Sequence, residues 1–310
     1  MMEYDIIIIG GGPAGSCAAI YALRAGKKVL VLEKEVMGGK IAFSPLIENY
    51  PGIEQIKGPE LSDKLTEQVK QLGGKIVAQA VEKIEKTEEK IMVKTAQQIY
   101  WCSACILATG TQYRTLGLQN EEKFRGKGIS FCAVCDGFFY QKKTVAVIGG
   151  GNTAVANATE LANICKKVYV IQQLDHLTAE PMAIEQLAKK ENVEYWYQAT
   201  VTQLQGEEKL EQIQIQQGEK QISLPVDGMF LSIGQIPETT LAKEAGIALD
   251  EEGYMLVDES CQTNQAGIFA AGDCVKKQIR QLTTAVSDGT IAALSAVSYL
   301  ENKEESSPKQ

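Results

Sequence analysis

The sequence is poor in histidine: among its 310 residues only His176 is present. This scarcity excludes Ser-His or Cys-His catalysis that does not pass through His176, and any zinc site built from several histidines. A basic excess is also missing. The formal net charge of -8 argues against nucleic-acid binding, which needs a basic face. We interpret His176 itself as an exposed loop side chain.

Long hydrophobic runs are absent as well. The apolar stretch DIIIIGGG near the start is too short to span a bilayer, and no basic segment precedes it as in a signal peptide. We therefore expect a buried strand in a cytoplasmic protein with no membrane segment. The length suits two domains. The polar end, ENKEESSPKQ, predicts disorder.

A glycine pattern marks the first recognisable element. The segment YDIIIIGGGPAGSCAAIYALRAGKKVLVLEKE is typical of strand, glycine turn, helix and strand. Gly10, Gly12 and Gly15 have the spacing that allows a tight turn, close backbone approach to a pyrophosphate and helix packing on the strand. Glu33 ends the second strand, where its carboxylate can accept the hydroxyls of an adenosine ribose. This combination predicts a dinucleotide site.

The same pattern recurs in TVAVIGGGNTAVANATELANICKKVYVIQ, with Gly149, Gly151 and Ala154 at the turn. Gln172 lies as far from Ala154 as Glu33 lies from Gly15. The chain therefore contains a repeat of which only the first copy keeps its ribose acid. We predict an α/β protein with two Rossmann-like nucleotide-binding domains.

The segments between and after the two copies have simpler patterns. GPELSDKLTEQVKQLGGK predicts an amphipathic helix that stops at glycine. Residues 75–107 and 193–233 alternate like short strands, which we expect to be antiparallel in the first case.

Two C-x-x-C pairs stand among the eight cysteines. Cys132 and Cys135, in FCAVCDGFF, follow a flexible glycine segment. If Cys132 opens a helical turn, the helix N-terminus lowers its thiol pKa, as in redox sites. Asp136 follows directly and could shuttle a proton. We predict a redox disulfide; a zinc site would need two more ligands, and an inert pair is the third alternative.

The other pair, Cys102 and Cys105, runs into the strand pattern ILATG. Residues three apart in a strand point to opposite faces, so these thiols should not meet. We expect a structural role for them.

In these motifs the sequence resembles a known family, the low-molecular-weight thioredoxin reductases, from about Tyr4 to Leu300. The resemblance is carried by GGGPAG at 10–15, GGKIA and ENYPG at 38–52, ATG at 108–110, CAVCDG at 132–137, GGGNTA at 149–154, and GIFAAGDC with RQLTTA at 267–285. It implies a homodimer with a discontinuous FAD domain, residues 1–113 and 241–310, and a nicotinamide-type domain, 114–240, that carries the redox pair.

The resemblance also implies roles for single residues. Cys135 would face the flavin, Cys132 would attack the disulfide of a thioredoxin-like partner, and Asp136 would be the acid/base. Lys40 stands where the family usually has glutamine. The implied FAD contacts are Gly10, Gly12, Pro13, Ala14, Gly15, Glu33, Gly39, Lys40, Asn49, Val81, Thr109, Gly272, Asp273, Arg280, Gln281 and Leu282.

One part of the family pattern is missing. Members that use NADPH have H-R-R-x-x-x-R after the second copy's last strand, and this chain has Gln172, Gln173, Leu174 and Thr178 at those positions. A hydrogen bond to a charged group contributes about 1.5–3 kcal/mol, so losing two arginines lowers NADPH affinity roughly a hundredfold or more. NADPH binding is therefore expected to be weak or absent.

The electron donor is open between several alternatives. Reduced ferredoxin is the first, as in the ferredoxin-dependent flavin thioredoxin reductases that lack these arginines, and the basic residues Lys276, Lys277 and Arg280 are a candidate docking patch. NADH, or loosely held NADPH, is the second, favoured by the intact GGGNTA turn. A dithiol oxidase that uses oxygen is the third, and a flavin-bound redox sensor the last.

Overall fold

The computed structural model describes residues 2–44 and 46–306. The first part of the chain begins as expected from the glycine pattern, with a buried strand, a helix that starts at a proline, and a second buried strand. Proline suits the first helical position because its missing N–H would have no partner there. The elements are β1 (Met2–Ile9), α1 (Pro13–Arg24), β2 (Val29–Glu33), α2 (Gly58–Gln71), β3 (Lys75–Ala78), β4 (Val81–Lys86), β5 (Ile91–Thr95), β6 (Ile99–Leu107) and β7 (Thr111–Tyr113).

The middle of the chain repeats the strand–glycine–helix–strand order. It contains α3 (Glu121–Phe124), β8 (Ile129–Ser130), α4 (Ala133–Asp136), β9 (Thr144–Ile148), α5 (Asn152–Ile164), β10 (Lys167–Gln172), α6 (Pro181–Ala188), β11 (Val193–Tyr197), β12 (Ala199–Gln205), β13 (Gln212–Gln217), β14 (Lys220–Pro225) and β15 (Gly228–Leu231).

The last part comprises β16 (Gln235–Pro237), α7 (Thr240–Glu244), β17 (Ile268–Ala270) and α8 (Leu282–Ser306). The prediction of a disordered end is wrong for residues 301–306, which continue α8. The sequence has no glycine or proline between Thr290 and Pro308 to stop the helix. The rest of the predicted disordered segment lies outside the described residues.

Two compact units divide the chain. The first unit consists of Met1–Phe43, Tyr50–Gln112 and Ile236–Gln310, and the second of Ser44–Asn49 and Tyr113–Gln235. Both ends of the chain therefore contribute to the first unit. Ser44–Asn49, which we expected in the FAD domain, groups with the second unit.

The first unit is built on a sheet in the order β3-β2-β1-β6-β5-β4, with β17 also beside β6. The prediction of antiparallel strands between residues 75 and 107 is confirmed for β4–β5 and β5–β6. It is wrong for β3, which runs parallel to β2, and for β6 beside β1. Core clusters cover both faces of β1 and β6, which is typical of strands in a parallel sheet.

The second unit contains an all-parallel sheet in the order β11-β10-β9-β15-β8 and an antiparallel meander, β12-β13-β14. The arrangement β11-β10-β9-β15 matches β3-β2-β1-β6 in the first unit, and both have the order of a Rossmann half. The predicted α/β fold with two Rossmann-like domains is confirmed. Among the described residues, no helix combines the length and apolarity needed to cross a membrane.

Candidate active site

The first glycine loop connects β1 to α1 and needs glycine for steric reasons. Gly10 has φ 106°, and a side chain there would overlap the carbonyl of Ala108. A side chain at Gly15 would overlap the Gly10 carbonyl, because α1 packs directly on the loop. At Gly12 the nearest atom to a built Cβ is 4.0 Å away, on Gly38. The loop is therefore tight toward the protein and open at Gly12.

Glu33 lies at the end of β2 against this loop. One carboxylate oxygen accepts a hydrogen bond from the Gly11 N–H at 2.6 Å and the other from the Glu35 N–H at 2.9 Å. Each oxygen keeps a second lone pair for a ribose hydroxyl. The tight turn and the adjoining acid fit the pyrophosphate and ribose of FAD.

Other residues with an implied FAD contact surround the same loop. A Cβ on Gly39 would lie 3.4 Å from the Gly12 Cα, and one on Gly272 would lie 2.8 Å from the Ala14 Cβ. The Thr109 backbone nitrogen would lie 3.2 Å from a Cβ on Gly10. The structure therefore brings residues from four separate segments together.

The remaining implied contacts differ in position. Arg280 donates to the Asp273 carbonyl at 3.2 Å and lies over the Tyr254 ring. Gln281 precedes α8, and its carbonyl accepts the Ala285 N–H. Leu282 begins that helix. Val81 begins β4. Asn49 is exposed and belongs to the segment grouped with the second unit.

Lys40, the departure from the family pattern, forms an ion pair. Its ammonium lies 3.7 Å from an Asp273 oxygen and also donates to the Thr111 hydroxyl. Asp273 thus has a cation beside it.

The candidate basic docking patch is not a continuous exposed surface. Lys277 is only 15% exposed, because its ammonium lies 2.7 Å from Asp288 and 3.8 Å from Asp273. Arg280 is held by Asp273 and Tyr254, so Lys276 alone is exposed. Asp288, which also accepts the Gly272 N–H at 3.1 Å, is a residue that sequence reasoning missed. It lies in the second turn of α8 and carries no motif.

The second glycine loop has the same backbone needs as the first. Gly149 has φ 123°, and a Cβ there would lie 2.5 Å from the Ser232 carbonyl oxygen. Gly150 lies directly against the Gln172 side chain. Gln172 is 6% exposed; its amide nitrogen donates to the His176 carbonyl at 3.2 Å, and its oxygen accepts the Gln173 N–H at 3.0 Å. The position that corresponds to Glu33 is thus occupied by a neutral side chain that is bonded within its own turn.

The segment that would hold a 2′-phosphate is neutral except for one exposed pair. Leu174 is exposed, and the Thr178 N–H donates to the Gly150 carbonyl at 2.8 Å. His176 pairs with Asp175 at 2.6 Å, and this hydrogen bond lowers the Asp175 pKa. The prediction that His176 is an exposed loop residue is confirmed.

Cys132 and Cys135 form a disulfide in the second unit. Cys132 is the N-cap residue of α4, and its sulfur accepts the Cys135 N–H at 3.2 Å. The predicted disulfide and helical turn are confirmed. Stabilisation at the helix N-terminus favours the thiolate of Cys132 when the bond is open.

Asp136 lies beside this pair and is half-buried. Burial raises the pKa of its carboxyl, while a hydrogen bond from the Ser130 hydroxyl at 2.6 Å lowers it. Among the described residues its other oxygen, Oδ1, is buried without a hydrogen-bond partner. Sequence reasoning missed Ser130, and it missed Asn157, whose side chain accepts the Ala133 N–H at 3.4 Å.

The second cysteine pair corrects an expectation. Cys102 and Cys105 are fully buried in one core cluster with Leu107. Ala104 and Ile106 belong to the other core cluster, which covers the opposite face of the strand. The two thiols do meet: burial raises the Cys102 pKa well above its usual range, and the adjacent Cys105 thiol raises it further. The alternation of side chains between the two faces of β6 is interrupted between Cys102 and Cys105, where the neighbouring strand changes from β5 to β17. Both cysteines are free, and in the described part of the chain no group of three or more His, Cys, Asp or Glu residues could hold a metal.

Comparison with known proteins agrees with this arrangement. The profile of the pyridine nucleotide-disulphide oxidoreductase family matches residues 4–289. A thioredoxin reductase of Listeria monocytogenes is 38% identical over 98% of this chain and 96% of its own. The structure of a thioredoxin reductase from Streptococcus pyogenes is 36% identical, with a TM-score of 0.89 over 97% of this chain and 99% of that one.

A second solved structure, a ferredoxin-flavin thioredoxin reductase from Clostridium acetobutylicum, is 32% identical with a TM-score of 0.52 and covers 97% of this chain and 100% of its own. The chain therefore belongs to the pyridine nucleotide-disulphide oxidoreductase family, among the low-molecular-weight thioredoxin reductases.

Proposed function

We propose that this protein is an FAD-dependent reductase of a thioredoxin-like protein, that it works as a homodimer, and that reduced ferredoxin is its electron donor. The observation that carries the proposal is the Cys132–Cys135 disulfide at the start of α4, beside the half-buried Asp136. The relatives named thioredoxin reductase support the activity.

The residues of the first unit would hold the cofactor. The Gly10–Gly15 turn would receive the pyrophosphate, and Glu33 would bind the adenosine ribose. Asp273, with its ion-pair partner Lys40, would contact the part of the cofactor nearer the flavin ring. When bound, FAD would supply the electron pair that opens the Cys132–Cys135 bond.

The two sulfurs have distinct tasks in the transfer to the partner. The Cys132 thiolate, favoured by its N-cap position, attacks one sulfur of the partner disulfide and displaces the other as a thiolate. Cys135 then attacks the Cys132 sulfur, which releases the second partner thiolate and restores the disulfide. Two protons are needed for the two partner thiols, and Asp136 is placed to hold one of them at its free oxygen.

The choice of ferredoxin is supported by the second glycine loop. No arginine or lysine occurs between Lys167 and Lys189, where a 2′-phosphate would need one, and Gln172 has both its amide atoms bonded within the turn. The similarity to a ferredoxin-flavin thioredoxin reductase supports the same donor. An iron–sulfur donor delivers single electrons, and a flavin can collect two of them before the disulfide is reduced.

A nicotinamide donor is the second candidate, and one observation favours it. The Gly149–Gly151 loop keeps the tight geometry of a phosphate-binding turn at the start of α5. Without arginines or a ribose acid, NADH would be held more weakly than in a loop with the acid, and NADPH would gain nothing from its extra phosphate.

Parallel anaerobic reduction distinguishes these donors. The purified flavoprotein is mixed with excess NADPH, NADH or reduced ferredoxin, and bleaching of the flavin absorbance is followed by stopped flow. We expect ferredoxin to bleach the band and NADPH to act slowly or not at all. Complete bleaching by NADPH within milliseconds would overturn the choice of ferredoxin.

A second experiment tests the reductase activity itself. Cys132→Ser should abolish reduction of thioredoxin, because no thiolate remains to attack its disulfide, while FAD stays bound to the first unit. Cys102→Ala, which removes a buried thiol of the first unit, is the matched control and should retain turnover. Turnover by Cys132→Ser at the wild-type rate would remove the basis of the proposed function.

A further inference from the structure

The Ser130 hydroxyl connects two parts of the redox site. Ser130 ends β8 and is 5% exposed. Its oxygen lies 2.6 Å from Asp136 Oδ2 and accepts the Cys132 N–H at 3.2 Å. The Cys132 carbonyl is farther away, at 3.5 Å. A hydroxyl has a single proton to donate, and the shorter distance to a carboxylate directs that proton to Asp136.

The Asp136 carboxylate depends on this one bond. Among the side-chain contacts of the described residues, Ser130 is its hydrogen-bond donor, while Oδ1 is buried and unpartnered. A buried carboxylate with a single donor is poorly stabilised in its charged form, and burial indeed raises the Asp136 pKa. Ser130 opposes that effect, so one oxygen is fixed and the other remains available for a proton.

The remaining groups around Asp136 do not replace Ser130. The disulfide sulfurs lie on the same helical turn, and α5 contributes the neutral Asn157 through the Ala133 N–H. A 3-10 helix, Gly137–Tyr140, follows α4 and contributes Tyr140, whose pKa is raised to about 12, first by burial and then by the Asp136 charge. That phenol stays neutral throughout the range in which a carboxyl titrates. Within the described chain, burial and the Ser130 hydrogen bond are the influences on the Asp136 pKa, and no lysine or arginine is among them.

We propose that Ser130 is a positioning residue of the dithiol chemistry: its hydroxyl fixes the Cys132 backbone and one Asp136 oxygen together, and leaves the second oxygen to carry the proton. This inference rests on the proposed function for its role in turnover. The arrangement is a short chain in which the N–H polarises the hydroxyl and the hydroxyl stabilises the carboxylate, so each bond strengthens the other.

The consequence is a defined direction for the pH response. A donor to a carboxylate favours its charged form, so removing the Ser130 hydroxyl raises the pKa of Asp136. Whichever limb of the pH–rate profile reports Asp136 should therefore move to higher pH. A role of Ser130 in packing alone would change the rate without moving that limb.

The test compares Ser130→Ala and Ser130→Thr in the oxidised holoenzyme. Difference infrared spectroscopy follows the carbonyl band of protonated Asp136 against pH, and Asp136→Asn identifies the band. We expect the titration midpoint of Ser130→Ala to rise by about one pH unit or more, the cost of a lost charged hydrogen bond. Ser130→Thr, which keeps the hydroxyl, should restore the wild-type midpoint.

Two further variants keep the result unambiguous. Thr159 is a hydroxyl residue of the same unit that donates to the Val155 carbonyl at 2.8 Å within α5, so Thr159→Ala should leave the midpoint unchanged. If Ser130→Ala does not fold, Ser130→Val, which has the shape of Ser130→Thr without its hydroxyl, should shift the midpoint in the same direction. An unchanged or lowered midpoint in the folded variants would overturn the inference.

The infrared readout separates this inference from the proposed function. A shifted midpoint in a protein that never reduces thioredoxin would retain the Ser130–Asp136 coupling and reject the reductase activity. An unshifted midpoint in an active reductase would reject the coupling alone. As a second readout, the pH dependence of turnover should shift in Ser130→Ala and return with Ser130→Thr.

Discussion

Gln172 lies against Gly150 in the second glycine loop as Glu33 lies against Gly11 in the first. The position is shared, but the bonding differs. Glu33 accepts two backbone N–H groups, one of them from the glycine loop itself. Gln172 donates to the turn that follows its strand and accepts from its own neighbour. The second unit therefore has the shape of a nucleotide fold, with the carboxylate exchanged for an amide.

The first prediction reverses this exchange. Gln172→Glu should strengthen NADH binding, because a carboxylate at this position can accept ribose hydroxyls as Glu33 is placed to do. A hydrogen bond to a charged group contributes about 1.5–3 kcal/mol, which corresponds to a roughly ten- to hundredfold lower dissociation constant. The measurement is the NADH concentration dependence of flavin reduction, with isothermal titration as a check.

The reciprocal variant is the control. Glu33→Gln should weaken retention of FAD by a similar factor and leave the NADH dissociation constant from isothermal titration unchanged, since it lies in the other unit. If Gln172→Glu binds NADH no better than the wild type, the glutamine is not what limits nucleotide binding in the second loop.

The parts of the molecule that sequence could predict are those set by neighbours along the chain. The glycine turns, α2 and the helical turn at Cys132 follow from local residue spacing, and each is present. The contact between Cys102 and Cys105 could not be predicted, because it depends on β6 changing its edge partner from β5 to β17, which lies far along the chain. The Ser130–Asp136 bond is local, but a serine two residues before a cysteine has no distinguishing pattern.

Lys277 shows the same limit for charges. Its partner Asp288 comes from α8. A lysine that looks like part of a basic patch in the sequence is therefore engaged in an ion pair in the fold. The second prediction follows. Lys277→Met should lower the free energy of unfolding by about 1–3 kcal/mol, because Asp288 would lose the ammonium 2.7 Å away in a partly screened site, while Asp273 would keep Lys40 as an ion-pair partner. FAD retention should fall with it, since Asp273 has an implied contact to the cofactor.

The adjacent lysine is the matched control. Lys276 is exposed, and Lys276→Met should change neither thermal unfolding nor flavin retention. Equal behaviour of the two variants would mean that the Lys277 pair contributes nothing beyond a surface charge. Both variants should also leave the salt dependence of the donor reaction unchanged, because one lysine is engaged internally and the other stands alone.

The last prediction concerns the destabilisation of the fold by the buried Asp136 carboxylate. Its folded-state pKa is raised, chiefly by burial. At a pH well below the pKa of an aspartate in the unfolded chain, near 3.9, the carboxyl is protonated in both states and does not destabilise the fold. As the pH rises through the unfolded value, the unfolded chain loses its proton first, so unfolding becomes more favourable until the folded pKa is passed. Asp136→Asn should therefore raise the melting temperature at pH 7 and lose that advantage near pH 3, as measured by calorimetry, while thioredoxin reduction slows. A stability difference that is constant across this pH range would mean that Asp136 is not destabilised by its burial, and that its charge is balanced by a group other than Ser130.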